Sequence, residues 1–241
     1  MVDLGRVSVP KASEVLADRL RQQILEGDLP EGSALPVERV LATSVGLGRG
    51  TVRDALRVLE IEGLVVTKPG RGGGSFVRRP DTGTFERSLN VLVNGRSVTF
   101  HSLLEAREAL EPSAARLAAL HRIDEDLARL DAASSALEAA RDDLPRFLQC
   151  NVEWHVAVGR ATHNEIIEAI VNSLSLVLLR STDIADFNSV ETMDGTLRAH
   201  DRILAAIRDQ DPDRAASSMN KHVHTYREMV LTYVSEDQPV L

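Results

Sequence analysis

The chain has 241 residues, 43% of them hydrophobic and 27% charged, with a formal net charge of −8 at pH 7. That length accommodates two domains, and the single cysteine, Cys150, excludes an intrachain disulfide. Aromatic residues are scarce, at 3%, which disfavours recognition of single strands by base stacking. No apolar run approaches the length of a membrane span, and no basic segment followed by an apolar core opens the chain. A cytoplasmic protein with no membrane partner is expected. Charge is unevenly spread: residues 1–80 carry 12 Lys/Arg against 10 Asp/Glu, and the remainder carries 16 against 26, a net of −10. Within residues 39–79 the count is 8 basic against 3 acidic. Such a local patch permits a defined nucleic-acid contact and argues against nonspecific coating.

The stretch from Leu35 to Val77 predicts two short helices, a tight glycine turn between them and then a β-hairpin. In the second helix Arg49, Arg53 and Arg57 recur every four residues and so share one face. Val52, Ala55, Leu56 and Leu59 fall on the opposite face and are expected to pack inward. A short helix with a basic outer stripe, presented by a helix-turn-helix, has the geometry that enters a DNA major groove. The hairpin that follows, with a glycine-rich basic tip from Lys68 to Gly74, would form a wing. The bland alternative is a helical subdomain with a solvated arginine face, but turn, stripe and wing occur together in the right order. The run GRGGG lacks the following Lys-Ser/Thr of a phosphate loop and opens no helix.

At these residues the chain resembles the GntR family of bacterial transcription regulators. The resemblance runs from about Ala12 to Arg79 and includes the first helix (VLADRLRQQILEG), the LPxER start of the second, the GLGRGTVRDAL turn and recognition helix, and the EGLVVTKPGRGGGSFV wing. It implies a winged helix-turn-helix over residues 1–79, with Arg39, Arg49, Thr51 and Arg53 at the DNA and with Gly70 and Arg71 at the wing tip. Two positions depart from the family. Gly48 stands where Ser or Thr is usual, so the recognition helix loses a side-chain cap, and Gly50 replaces a residue that often contacts DNA.

Arg78 to Gly83 reads as a linker by composition, and residues 80–98 are taken as linker and connecting helix. Beyond it the pattern is helical almost throughout, over about 84–94, 99–121, 124–141, 145–162, 164–182, 191–209 and 212–235. The expected fold class is mainly α: a winged helix-turn-helix plus a bundle of six or seven helices over 99–241. Several polar residues share stripes that should be buried. Asn151 and His155 lie four apart with Leu148, Val152 and Gly159. His200 lies with Leu197, Ile203, Leu204 and Ile207, and His222 with Ala215, Met219, Tyr226 and Val230. His224 points the other way and should be solvated. Imidazoles are common ligands for Zn²⁺, Ni²⁺ and related ions, although each histidine alone also suits a hydrogen-bonded core position. His101 and His121 fall near helix ends and are read as solvated. Asp124, Glu125 and Asp126 are read as starting a helix through the macrodipole.

NVEWH, AHDRILAAI and NKHV make this half similar to the ligand-binding FCD domain of the FadR subgroup of GntR regulators, over about Thr99 to Tyr226. Many members of that group hold a divalent metal with an Asp or Asn and three His. The resemblance places this ligand set on Asn151, His155, His200 and His222 and implies Zn or Ni as cofactor. Asn151 stands where many members have Asp, and a neutral amide oxygen is the weaker ligand. It serves either as a loose fourth ligand or as a hydrogen-bond donor to the effector. Arg107 shares an apolar stripe with Leu103, Leu110, Ala114 and Leu117, where an unpaired charge is costly. It is either ion-paired, to Glu105, Glu111 or another helix, or it clamps a carboxylate in bidentate fashion. The resemblance favours an effector cavity there and a small organic acid as effector, with Asn172 and Ser175 on an adjacent helix.

These readings converge on a DNA-binding transcription regulator and not an enzyme. The resemblance implies repression in most members, a short inverted-repeat operator bound by a homodimer, and control by an acid beside a metal. Two alternatives stand beside it: a metal-dependent helical enzyme tethered to a DNA-binding module, and a constitutive DNA binder with a structural metal. Against the enzyme, no buried carboxylate is expected beside the histidines as a general base.

Overall fold

Ile24, Leu41, Leu56 and Leu59 come from three helices and meet in one core, which forces those helices into the first of two units. The structure, a computed structural model, describes residues 9–70, 72–80, 82–181, 189–235 and 237–240, and its two units divide after Thr84. The first unit contains α1 (Ala12–Glu26), α2 (Glu38–Val45), α3 (Arg49–Ile61), β1 (Val65–Lys68) and β2 (Gly74–Val77). The inward stripe of α3 is as its period demands, with Val52, Ala55, Leu56 and Leu59 all buried. Gly46 ends α2 in the left-handed region, φ 70°, a conformation that a side chain would strain. Gly48 caps α3 without a side-chain bond. Arg21 of α1 grips Glu62 just beyond α3 through two hydrogen bonds of 2.9 and 2.7 Å.

The wing is an antiparallel pair in the register Val65↔Val77, Val66↔Phe76, Thr67↔Ser75 and Lys68↔Gly74. Its tip is closed by the Gly73 amide donating to the Gly70 carbonyl at 2.9 Å. A Cβ at Gly73 would lie 2.2 Å from the Lys68 carbonyl oxygen, so no larger residue fits this turn. The hairpin is also anchored from behind: Leu35 N donates to Ser75 O, and Val77 N to Ser33 O. No alternation marks 33–35 as a strand; a two-stranded ribbon needs such support to hold its shape.

The second unit contains α4 (Thr82–Arg96) from Phe85 onward, then α5 (Phe100–His121), α6 (Asp124–Ala139), α7 (Leu144–Arg160), α8 (Glu165–Ser181), α9 (Val190–Arg208) and α10 (Pro212–Tyr233). α10 packs along α5 and α9, and α7 along α6 and α8. Thr99, Asp143, Ser189 and Asp211 cap α5, α7, α9 and α10 by accepting from the backbone amide three residues on. Asp126 accepts from the Ile123 amide at 2.9 Å, so the acidic opening of α6 caps it, and the same buried carboxylate lies 2.7 Å from Nε2 of His163. α4 occupies most of the stretch read as linker and connecting helix, 80–98. Val93 of α4 is buried in a cluster with Phe100, Leu103, Leu174 and Val230, so α4 contributes to the bundle core. The chain end joins the same region, where Phe100 N donates to Gln238 O and Val240 N to Val98 O.

Candidate functional site

α7, α9 and α10 each deliver one histidine to the bundle interior. His155, His200 and His222 are 2%, 1% and 9% exposed. Nε2 of His222 lies 3.3 Å from Nε2 of His200 and 3.4 Å from Nε2 of His155. One nitrogen from each ring lies within 4.8 Å of the others. The edges of a tetrahedron with metal–nitrogen bonds of about 2.0–2.1 Å are about 3.3–3.4 Å, so two of the three separations match a common centre. Burial, followed by repulsion from neighbouring cations, pushes the His222 pKa down to about 3. His200 is held well below its ordinary value, first by burial and then by His222 and His155. Both rings are therefore neutral near pH 7, with lone pairs available to a cation. The fit extends to an orphaned atom: Oδ1 of Asn151 is buried without a hydrogen-bond partner and lines the cavity beside His155. This donor set can hold a divalent ion.

The ring orientations are fixed from outside the cluster. Nδ1 of His155 lies 2.7 Å from Oε2 of Glu111, a close contact bent away from ideal hydrogen-bond alignment. The carboxylate keeps the proton on Nδ1 and leaves the Nε2 lone pair facing inward. Trp154 stacks on His200 with centroids 3.6 Å apart and planes 11° from parallel, and its Nε1 donates to Ser134 Oγ at 3.0 Å. Glu111 also pairs with Nε of Arg107, one turn earlier on α5. Both side chains are almost fully buried. Burial alone would raise the Glu111 pKa, but the Arg107 charge and the contact with His155 override it and hold the carboxyl far below its usual range.

Two expectations change here. The carboxylate thought to be missing beside the histidines is Glu111, which the sequence offered only as an ion-pair partner for Arg107. Its signal was the i, i+4 spacing to Arg107 on a buried stripe. Arg107 is paired, and its guanidinium also faces the Tyr226 ring at 5.2 Å and lines both inner cavities. Asn172, half-buried on α8, is absent from the lining of those cavities, whereas Ser175 lines one of them. Ser175 is the buried one of the two and shares that lining with Asn151 and Val152 of α7. His224 lies outside as expected, 2.9 Å from Glu108. His121 is exposed but for a contact of its Nδ1 with the Thr162 carbonyl at 3.0 Å.

In the first unit Arg39, Arg49, Arg53 and Arg57 are all exposed and Thr51 is half-buried. Arg53 donates to Glu38 of α2 at 3.0 and 2.8 Å, a partner that the helical stripe did not reveal. Gly70 stands at the wing tip with φ 95°, and Lys68 lies over the Phe76 ring at 5.0 Å. Arg71, expected at the same tip, lies outside the described residues.

Comparison with known proteins matches the two units separately. Residues 12–74 match the family described as bacterial regulatory proteins, gntR family, and residues 102–225 match the FCD domain. The HTH-type transcriptional repressors NanR of Salmonella typhimurium and Salmonella enteritidis are 31% identical over 222 residues, covering 89% of this chain and 82% of theirs. A solved structure, Streptococcus agalactiae GntR, is 27% identical with a TM-score of 0.65, covering 90% of this chain and 99% of that one.

Proposed function

We infer the function from one premise: the chain belongs to the gntR family of bacterial regulatory proteins and carries an FCD domain. It is a DNA-binding transcription regulator and not an enzyme. Beyond that, we propose that it represses transcription as a cytoplasmic homodimer on a short inverted repeat, and that a small organic acid bound beside a Zn²⁺ or Ni²⁺ ion controls it. The repressor name of its relatives supports the sign of regulation. No described helix is long and apolar enough to cross a membrane. At the DNA, Arg49 and Arg53 in the first turns of α3 are the readers of base edges, Arg39 and Thr51 assist, and Gly70 and Arg71 bring the wing to the backbone.

One observation carries the effector reading. His155, His200 and His222 converge where Asn151 and Arg107 line the same cavity. The three imidazoles would hold the ion, which supplies a positive charge to a bound carboxylate. Arg107 orients that carboxylate, Asn151 offers its amide to ion or acid, and Glu111 fixes the His155 tautomer. An effector that favours one arrangement of the protein over another shifts operator affinity by that difference alone. The metal-dependent enzyme loses ground on Glu111, because both oxygens of that carboxylate are engaged, by Arg107 and by His155. The test is metal analysis of the purified protein followed by titration of organic acids into a protein–operator complex. Release of DNA only when metal is present supports the reading. A protein without stoichiometric metal, or one that releases DNA equally without it, refutes it.

A further inference from the structure

Besides the inner cavities, α9 and α10 border an open groove of about 520 Å³, within the usual size of small-molecule sites. Thr192, Thr196, His222 and Tyr226 line both the groove and the inner cavity that Arg107 borders, so the two adjoin across these four side chains. The inner cavities measure only about 20 and 30 Å³, room for one or two waters each at about 10–15 Å³ per water. An acid that reaches Arg107 can place little more than a carboxylate head inside. Its carbon skeleton must lie in the groove.

The groove has a charge of its own. Arg198 and Arg202, one turn apart on α9, line it together with Lys221 of α10, and Glu191 is the one carboxylate in its lining. None of the three cations has an ion-pair partner among the described residues. Elsewhere in this unit arginines find acids: Arg116 pairs with Asp213, Arg141 with Asp194, Arg208 with Asp131 and Arg227 with Glu108. In a half-chain where carboxylates outnumber cations 26 to 16, three cations without a described partner around one groove give it a positive field that favours an anion.

We propose that the effector is an organic acid with two anionic groups. One carboxylate enters the inner cavity toward Arg107 and the histidines. The second group, a carboxylate or a phosphate, is held in the groove by Arg198, Arg202 and Lys221. This rests on the inner cavity being the effector site, as argued above. The test is calorimetric titration of the full chain, with zinc added, using two matched pairs: glutarate against butyrate and 3-phosphoglycerate against glycerate. In at least one pair the dianion should bind roughly tenfold tighter or more, as charge-assisted hydrogen bonds require, and which pair responds names the second group. Arg198→Gln/Arg202→Gln should erase that difference. Equal affinities within both pairs, no binding by any of the four, or a preference that survives the double variant would each overturn the proposal. Failure of the inner site reads differently: affinity for all the acids would then be unchanged in Arg107→Gln, or in Arg107→Gln/Glu111→Gln, where no unpaired charge is left behind.

Discussion

Glu111→Gln tests the centre of the bundle most directly. The substitution keeps shape and volume but removes the carboxylate that pairs with Arg107, a guanidinium 3% exposed that cannot deprotonate. Breaking one side of a buried pair costs about 3–5 kcal/mol, because a charge is left buried and uncompensated. The bundle falls in the size range where 1 kcal/mol moves the melting temperature by about 2–4 °C, so a fall of about 6–20 °C is expected in metal-free protein. Arg107→Leu/Glu111→Gln removes both charges and should recover most of that loss, which is the signature of a coupled pair in a double-mutant cycle. The pair also sets a pH window. A carboxyl whose folded pKa is depressed stabilises fully above its unfolded pKa of about 4.3 and loses that contribution as pH falls below it. Differential scanning calorimetry of wild type, Glu111→Gln, Arg107→Leu and the double variant at pH 7 and at pH 4, with chelator present, measures all of this. A melting temperature in Glu111→Gln within about 2 °C of wild type, or singles that simply add in the double variant, would refute the account of the pair.

Arg53→Ala should abolish specific operator binding in a gel-shift titration while leaving the melting curve of the first unit nearly unchanged, since its pair with Glu38 is exposed; wild-type affinity would show that α3 is not the reader. Metal-free protein should lose stability as pH falls below about 6.5, because His200 and His222 fold neutral and the unfolded chain takes up their protons first, at about 1.4 kcal/mol per unit per ring. Denaturant titrations at pH 7, 6 and 5 check this, and a flat profile in that range would count against buried neutral rings. Trp154, the single tryptophan, should report metal: Ni²⁺ added to metal-free protein should quench its fluorescence through the stacked His200 ring, an effect retained in His224→Ala and lost in His222→Ala.

The elements were legible because each carries its own period and caps. The α3 stripe, the helices from α5 to α10 and the phase that separates His222 from His224 follow from 3.6 residues per turn alone. The convergence of His155, His200 and His222 is different. Phase shows that each faces inward, but only the packing of α7, α9 and α10 decides whether inward faces meet; the resemblance supplied that step. What stayed hidden were contacts between elements of unlike period or with weak local signal. The 33–35 segment behind the wing has no alternation to announce it. Glu38, at the start of α2, gives no sign from its own helix that it will hold Arg53. Asn172 and Ser175 are three apart on α8, and without the tilt of that helix no sequence argument could choose between them.

Charge balance inside the bundle decides what must accompany an acid. Arg107 is the natural clamp for a carboxylate, yet Glu111 already neutralises it, and His200 and His222 are kept uncharged by burial. The pair contributes no net charge, and a second carboxylate brought to it would enter a low-dielectric pocket with no spare cation to meet it, at a cost of several kcal/mol. A divalent ion on the three imidazoles changes the sign of that balance, whereas the groove cations Arg198, Arg202 and Lys221 are exposed and screened by solvent. Acid binding should therefore require metal: chelator-treated protein should show at least tenfold weaker affinity for a carboxylate ligand than zinc-loaded protein, about 1.4 kcal/mol being the least that a buried charge of this kind supplies. Calorimetry before and after restoring zinc measures it. Equal affinity in the two states would mean that Arg107 leaves Glu111 when the acid arrives, and that the carboxylate pair, not the ion, is what the effector competes with.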